Sequence, residues 1–278
     1  MSAAVSKQVI ETLSPAKLNL FLHVTGQRGN GYHELQTAFQ LLDWGDRIRF
    51  EITETPGITL HPPVAGVPNE DNLIFRAAAS LGLPEDRGVA ISIEKVIPMG
   101  GGLGGGSSNA AVTLLALNAL FDLGHSVDEL AVKGSALGAD VPVFVRGASA
   151  WAEGIGDELM PLELPARWFV IIYPDCHVST QEIFGAPELT RNTPPITVSA
   201  FFEGPVRNDL QPVVESRYEQ VRAAITWLSG HGSAMMTGSG ACVFAGFDLQ
   251  AEAQRVAAAA EGKFKVFVAK GINRFTVV

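Results

Sequence analysis

IPMGGGLGGGSSN, residues 97–109, carries six glycines in two blocks of three that only Leu103 separates. The preceding segment, Val89–Val96, alternates like a half-buried strand, and the following segment, Ala110–Phe121, has the apolar spacing of a helix. Because glycine has no Cβ, backbone N–H groups in such a loop can approach a phosphate, and the first turn of the helix adds a partial positive charge. The segment therefore predicts an anion site. A flexible linker is the alternative, although linkers rarely lie between a strand and a helix.

Two other phosphate-binding motifs fit this segment poorly. The run GGGLGG satisfies the dinucleotide pattern G-x-G-x-x-G, but that match is weak in so glycine-dense a stretch. A dinucleotide fold also needs an acidic residue at the end of a second strand about 20 residues further on. That distance falls on Asp128 and Glu129, in a segment whose pattern predicts a helix. The pattern G-x-x-x-x-G-K-[ST] fails because no lysine follows the second glycine block.

The composition is that of an ordinary globular protein, with 47% hydrophobic and 18% charged residues among 278. The length exceeds the usual size of one domain, so we expect two, residues 1–160 and residues 161–278, with a boundary near Met160 where proline and glycine accumulate. No apolar run approaches the ~18 residues of a membrane span, and the N-terminus lacks the apolar core of a signal peptide. We therefore expect a cytoplasmic protein with no membrane partner.

Charge and cysteine content narrow the function further. The net charge of −9 argues against a nucleic-acid partner, so a phosphorylated ligand must be held by local donors and not by a global field. The two cysteines, Cys176 and Cys242, have no metal-ligand spacing, and we expect reduced thiols without a chemical role.

Two pairs of polar residues before the glycine segment are candidates for a site. Lys17 and Asn19 share one face of the predicted strand Ser14–Gly26; taken alone they favour a solvated surface, because lysine is rarely buried. Tyr32 and His33 follow a glycine–asparagine turn. They would offer a stacking ring and a hydrogen-bonding edge to a planar base, and an exposed turn pair fits these residues as well.

A third candidate, Asp140, lies after the glycine segment. It stands between a helix end and the apolar, strand-like run Val141–Val145, so we expect its carboxylate to be partly buried. A buried carboxylate needs a partner, and a structural cap is the alternative role. In the second half, Leu164–Pro174 predicts a buried strand and Thr237–Gly240 a tight turn. That turn is not a nucleophile elbow G-x-S-x-G, because Thr237 stands where the first glycine belongs.

Five segments occur in an order that resembles one family: PAKLNLFL, GYHELQT, IPMGGGLGGGSSNAA, LGADVPVF and GSGACVF. They are similar to the GHMP kinases and, within that superfamily, to the branch of the 4-diphosphocytidyl-2-C-methyl-D-erythritol kinases. Homoserine and mevalonate kinases share the glycine loop but lack the combination of PAKLNL and GYH. The resemblance implies a two-domain α/β (α+β) protein of the GHMP kinase fold, with an N-terminal ribosomal-protein-S5-like ATP domain, a C-terminal ferredoxin-like domain and the active site in the cleft between them.

The resemblance also implies roles for individual residues. Lys17 and Asp140 match the catalytic pair. The substrate-binding matches are Asn19 at the substrate alcohol, Tyr32 and His33 at the cytosine, and Thr180 and Phe184 near the cytidine. The ATP-binding matches are Asn72 and Lys95 on the adenine side and the triphosphate loop, Pro98, Met99, Gly100, Gly101, Gly102, Leu103, Gly104, Gly105, Gly106, Ser107 and Ser108. Some relatives have proline where this chain has Gln181, so this wall of the pocket departs from the family pattern.

The implied reaction is the ATP-dependent phosphorylation of the 2-hydroxyl of a cytidine-diphosphate-linked methylerythritol, in the non-mevalonate route to isoprenoids. Magnesium would bind with ATP, with Ser108 as a candidate ligand and no dedicated metal site. The protein would be a monomer or a homodimer. Two alternatives stay open: another small-molecule GHMP kinase, of the homoserine or mevalonate type, and a non-catalytic nucleotide-binding module. The presence of both Lys17 and Asp140 argues against the second.

Overall fold

The structure is a computed structural model that describes residues 8–63 and 67–277. Within these ranges ten strands form one mixed sheet. The strands are β1 (Val9–Gln27), β2 (His33–Thr53), β3 (Gly57–His61), β4 (Gly88–Glu94), β5 (Ala150–Glu153), β6 (Glu158–Pro161), β7 (Trp168–Tyr173), β8 (Ala234–Met236), β9 (Val243–Phe247) and β10 (Lys265–Ile272).

Nine α-helices among the described residues cover the sheet. They are α1 (Leu73–Ala79), α2 (Gly105–Leu120), α3 (Val127–Ser135), α4 (Val141–Arg146), α5 (Thr180–Phe184), α6 (Val198–Glu203), α7 (Gln211–Arg217), α8 (Glu219–Ser229) and α9 (Gln250–Ala260), and a 3₁₀ turn occupies Asn69–Asp71. No helix in the part of the chain that the structure describes is long and apolar enough to cross a membrane.

The sheet has two parts that the last strand joins. In the first part β2 pairs with β1, β4 and β5, while β3 runs parallel to β4. In the second part the order is β10, β7, β9, β8. Strand β10 pairs along most of its length with β7, and its end pairs with Leu41 and Leu42 of β2. Each part has its own apolar core, and a third buried cluster that includes Leu18, Leu103 and Phe169 lies where the parts meet.

The domain boundary predicted near Met160 stays a prediction. Met160 lies inside β6 and pairs with Trp151 of β5, so the first part of the sheet still holds the chain at this point. The second part begins at Trp168. The terminal residues 1–7 and 278, which the two predicted domains include, lie outside the described residues.

Two local predictions need correction. The helix after the glycine segment begins at Gly105 and not at Ala110, so Ser107 to Asn109 lie in its first turns. Its N-cap is Gly104, which makes no side-chain cap bond. The run after Asp140 is the short helix α4 and not a strand, with proline in its first turn and Gly147 ending it in the left-handed conformation. The first five residues of α4 are buried, and a short apolar run without a polar face does not reveal its period.

Candidate active site

The glycine segment connects β4 to α2 and is anchored at its start by Asp46. This carboxylate is fully buried and accepts hydrogen bonds of 2.8 Å from the backbone N–H groups of Val96 and Ile97. It also pairs with Lys95 Nζ at 2.6 Å. Sequence reasoning missed Asp46, because it opens an ordinary strand pattern with no motif around it. Its three bonds fix both the entrance of the loop and the position of Lys95.

Close packing explains the density of glycines in the loop. Gly102 has φ of 73°, and a Cβ placed on it would lie 2.3 Å from the carbonyl oxygen of Thr237. Gly104 has φ of 71°, and its Cβ would lie 2.9 Å from Phe144 Cζ and 3.0 Å from Lys17 Cγ. An L side chain at either position would combine backbone strain with a clash.

The second glycine-rich turn, predicted at Thr237–Gly240, joins β8 to β9 and packs on this loop. The N–H group of Ala241 donates to the carbonyl of Gly100, and that of Cys242 donates to the carbonyl of Gly101, both at 3.1 Å. Cys242 is a buried free thiol, and burial raises its pKa. Because the thiolate is the reactive form, this agrees with a thiol that has no chemical role.

The next two carbonyls of the loop are bonded by Lys17. Its Nζ donates to Gly102 O at 3.0 Å, and its backbone N–H donates to Leu103 O at 3.0 Å. The four successive carbonyls from Gly100 to Leu103 are therefore satisfied by protein. Backbone N–H donors of such a loop are the groups that a phosphate requires.

Lys17 and Asp140 meet beside this loop. Lys17 is only 3% exposed, so the surface interpretation of the strand pattern is wrong. Its Nζ bonds Asn19 Oδ1 at 2.5 Å and lies 3.3 Å from Asp140 Oδ2. Asp140 occupies the N-cap position of α4 but makes no side-chain cap bond, which excludes the structural-cap alternative. Its side chain is 34% exposed and faces the cleft.

Asn19 is held on three sides. Its Nδ2 donates to Thr37 Oγ1 at 3.0 Å, and its backbone N–H donates to Thr237 Oγ1 at 2.9 Å. Because Oδ1 already accepts from Lys17, Asn19 orients the lysine as well as lining the cleft.

The other end of the cleft is aromatic. Tyr32 is 62% exposed, and the ring of His33 lies 5.0 Å from that of Phe184, centroid to centroid. Thr180 shares a 2.7 Å hydrogen bond with Ser239 at the rim. His33 Nε2 accepts a 3.1 Å hydrogen bond from Nε of Arg191, a residue that no sequence pattern singled out. Burial lowers the pKa of His33, and the charge of Arg191 lowers it further.

Two cavities meet at the glycine loop. A cleft of about 1100 Å³ contains the predicted catalytic pair and the predicted substrate-binding residues, with Gln181 in its wall. A cavity of about 360 Å³ lies on the other side of the loop and contains Asn72, Lys95 and the loop from Pro98 to Ser107. Four loop residues line both: Gly100, Gly102, Gly104 and Ser107.

Ser108 is not in this arrangement. It is fully buried, and its Oγ accepts a 2.8 Å hydrogen bond from Ser14, so the structure does not agree with Ser108 as a magnesium ligand. Ser107 lines both cavities instead. Within the described residues no group of three or more His, Cys, Asp and Glu side chains is arranged to hold a metal ion.

Comparisons with known proteins agree with this geometry. Residues 72–148 match the model of the GHMP kinases N terminal domain, and residues 197–266 match that of the GHMP kinases C terminal. A 4-diphosphocytidyl-2-C-methyl-D-erythritol kinase of Pseudomonas paraeruginosa is 52% identical over 94% of this chain and 93% of its own length. The chain belongs to this family of GHMP kinases.

Solved structures share the fold over most of the chain. A crystal structure of 4-(cytidine 5'-diphospho)-2C-methyl-D-erythritol kinase superposes with a TM-score of 0.82 at 33% identity, covering 94% of this chain and 99% of that one. Homoserine kinase of Cytophaga hutchinsonii superposes with a TM-score of 0.69 at 16% identity, covering 99% and 98%, which shows a shared fold alone. The predicted GHMP kinase fold and enzyme family are thus confirmed.

Proposed function

We propose that this chain transfers the γ-phosphoryl group of ATP to the 2-hydroxyl of 4-diphosphocytidyl-2-C-methyl-D-erythritol, in the non-mevalonate route of isoprenoid biosynthesis. One observation carries the reaction type. Two cavities share the glycine loop, and the Lys17–Asp140 pair lies on the side of the larger one. A nucleotide in the smaller cavity would thus present its phosphates through the loop to an alcohol beside Asp140.

The shape of the larger cleft supports the acceptor. Its far end offers Tyr32 and Phe184 as stacking rings and His33 as a hydrogen-bonding edge, which suits a planar base. Asn19 and Lys17, which contacts Asp140, lie on β1 well before Gln27, the strand partner of His33, and so mark the opposite end. An acceptor with a base at one end and an alcohol at the other, joined by a diphosphate, fits this order of groups.

The mechanism follows from charge. Phosphoryl transfer passes through a loose transition state, so positioning and neutralisation of oxygens matter more than strong base catalysis. The loop N–H groups and the start of α2 would hold the β- and γ-phosphates. Asp140 would accept or orient the proton of the acceptor hydroxyl. Lys17, which Asn19 and Gly102 hold in place, would counter the charge of the transferred group.

The oxygen donors beside the loop suit magnesium. Ser107 and Asp140 both line the larger cleft, and hydroxyl and carboxylate oxygens are the ligands that this hard cation prefers. We therefore assign the candidate ligand role to Ser107 in place of Ser108. A magnesium ion held there with ATP would supply positive charge that neutralises the phosphate oxygens.

A coupled ADP-release assay with several acceptors tests the proposal. The cytidine-diphosphate-linked methylerythritol should give turnover, and the uridine analogue should lose at least ~10²-fold in kcat/KM. Cytosine has a donor amino group at position 4 and an acceptor at ring nitrogen 3, whereas uracil has the opposite pattern. Partners that fit cytosine would therefore leave buried polar groups unpaired with uracil, and each such group costs binding energy. Homoserine or mevalonate accepted equally well would identify another GHMP kinase. ATP binding without ADP release from any acceptor would identify a non-catalytic module.

Three further assignments stay predictions. They are a cytoplasmic location, magnesium as the cofactor with ATP, and a monomer or homodimer as the oligomeric state. The described cysteines are both free, which fits a reducing compartment.

A further inference from the structure

Arg191 is held in one orientation at the base end of the cleft. Its Nη1 donates to the carbonyl of Leu189 at 3.0 Å, and its Nη2 donates to the carbonyls of Phe184 at 2.9 Å and Ala186 at 2.7 Å. Its Nε donates to His33 Nε2 at 3.1 Å. Because the guanidinium is planar, the three carbonyl bonds fix the direction of the N–H group that faces the histidine.

This contact decides which nitrogen of His33 carries the proton. A guanidinium has only donors and stays protonated in proteins, so Nε2 of His33 must be an unprotonated acceptor. A neutral imidazole then carries its hydrogen on Nδ1. Burial and the charge of Arg191 both lower the pKa of His33, which favours the neutral ring. The function that His33 has left for a ligand is therefore a single N–H donor.

We propose that Arg191 fixes His33 as an Nδ1–H donor and thereby makes the pocket select cytosine over uracil. The inference rests on the proposed function, since it requires the cytidine end of the acceptor to lie against His33. Ring nitrogen 3 of cytosine is an acceptor and takes this hydrogen. Ring nitrogen 3 of uracil carries its own hydrogen, so two donors would face each other. Arg191 is in this sense a positioning residue that acts through His33.

A purely structural role for Arg191 would have a different signature. The same guanidinium bonds the Phe184 carbonyl, so its loss also disturbs the ring that packs on His33. Stacking does not distinguish the two pyrimidines, because each presents a π-face. A change in stacking alone would weaken both bases by one factor, whereas loss of the fixed tautomer weakens cytosine alone.

The first measurement reads the tautomer in the free, unmodified protein. Nitrogen-15 NMR of histidine-labelled protein, with His33→Gln to assign the signal among the six histidines, should show an unprotonated Nε2 and a protonated Nδ1 at neutral pH. A protonated Nε2 would overturn the proposal. This result needs no ligand and no turnover, so it is independent of whether the proposed function holds.

The second measurement compares CDP with UDP by calorimetry, and the cytidine acceptor with its uridine analogue by kcat/KM. In Arg191→Met the preference for cytidine should fall on the order of 10-fold or more, and Arg191→Lys, which keeps a cationic donor, should recover part of it. Arg167→Met is the matched control, because Arg167 similarly bonds Asp248 and the Gly246 carbonyl at 3.0 and 3.1 Å, away from the residues that line the cleft. Equal losses for both bases in Arg191→Met would overturn the proposal.

If the cytidine acceptor is not phosphorylated at all, the proposed function fails. The calorimetric preference for CDP then still decides whether the tautomer selects the base: a preference that Arg191→Met abolishes supports the selection, and no preference in the unmodified protein overturns it.

Discussion

The two ends of the cleft are built in opposite ways. At the phosphate end, four successive loop carbonyls are bonded to protein, and Lys17 is 3% exposed with oxygen partners in Asn19, Gly102 and Asp140. At the base end, Tyr32 is 62% exposed, and the polar contact of His33 is to one side chain, Arg191.

The difference follows from what each end must recognise. Backbone N–H groups and a buried lysine respond to charge and carry no information about the rest of the ligand. A base is identified by the donors and acceptors on its edge, which only polar groups held in a fixed orientation can read. We therefore expect the phosphate end to be sensitive to small displacements of atoms, and the base end to be sensitive to the identity of single polar groups.

The largest effect should come from the charge at the phosphate end. Asp140→Asn should lower kcat by about 10²–10³-fold while ATP still binds, because this charge acts mainly in the transition state. Turnover assays measure kcat and calorimetry measures the affinity for ATP, so the two measurements separate catalysis from binding. Asp128→Asn is the control, since Asp128 pairs with Arg146 at 3.0 Å on the surface and is 80% exposed. Near-normal turnover in Asp140→Asn would remove Asp140 from the mechanism.

Displacement of the loop should rank next. Gly104→Ala should lower kcat/KM for ATP on the order of 10²-fold, because the new Cβ would press on Phe144 and Lys17 and shift the phosphate site. Gly124→Ala is the control: Gly124 has a similar φ of 74° but no atom within 4 Å of its Cβ position. Both variants should lose about 1 kcal/mol of unfolding free energy from backbone strain. An ATP dependence equally affected in both, or in neither, would mean that the loop does not hold the phosphates.

At the base end, loss of one polar group should discriminate between ligands. His33→Ala should lower kcat/KM for the cytidine acceptor roughly 10-fold more than for the uridine analogue, because only cytosine loses a matched partner. Tyr32→Ala is the comparison, and it should lower both acceptors by a similar factor, since stacking ignores the edge. If His33→Ala also affected both equally, His33 would be a scaffold residue, and backbone groups would have to read the base.

The smallest effect should be the pH dependence of that discrimination. Burial and the charge of Arg191 lower the pKa of His33 from its ordinary value. Protonation would give Nε2 a hydrogen that faces the cation of Arg191, and the neighbouring Glu34 is already paired with Arg28. The neutral imidazole of His33 is therefore the form that fits beside Arg191 and binds the base. Its contribution to base discrimination is present at higher pH and is lost as the pH falls through the lowered pKa of His33. The cytidine-to-uridine ratio of kcat/KM should be flat above pH ~6.5 and decline a few-fold on the acid side. The ratio cancels ionisations common to both reactions, so a ratio that stays constant to low pH would contradict a titrating His33.

Several features followed from local sequence. The strand, the glycine segment and the helix after it were predicted in the right order, because Val89–Val96 and Ala110–Phe121 have clear periods and glycine density marks a close approach of backbone. The tight turn at Thr237–Gly240 and the buried strand after Leu164 followed in the same way. The resemblance, carried by the order of five segments, selected Lys17, Asp140 and the base-binding residues, whereas their local patterns had left a surface or a cap open.

Other features depended on residues far apart in the chain. Alternation placed Lys17 and Asn19 on one face of β1, but it could not say that the glycine loop and the turn at Thr237 would cover that face. Asp46 and Arg191 carry no motif, and they matter because folding brings them to Val96 and to His33, 50 and 158 residues away. Ser107 and Ser108 are adjacent in the glycine segment, but Ser107 lines the cavities while Ser108 is buried. Only the rotation of successive residues around α2 decides this difference. A period in the sequence reports which residues share a face, whereas the packing of distant segments decides what that face meets.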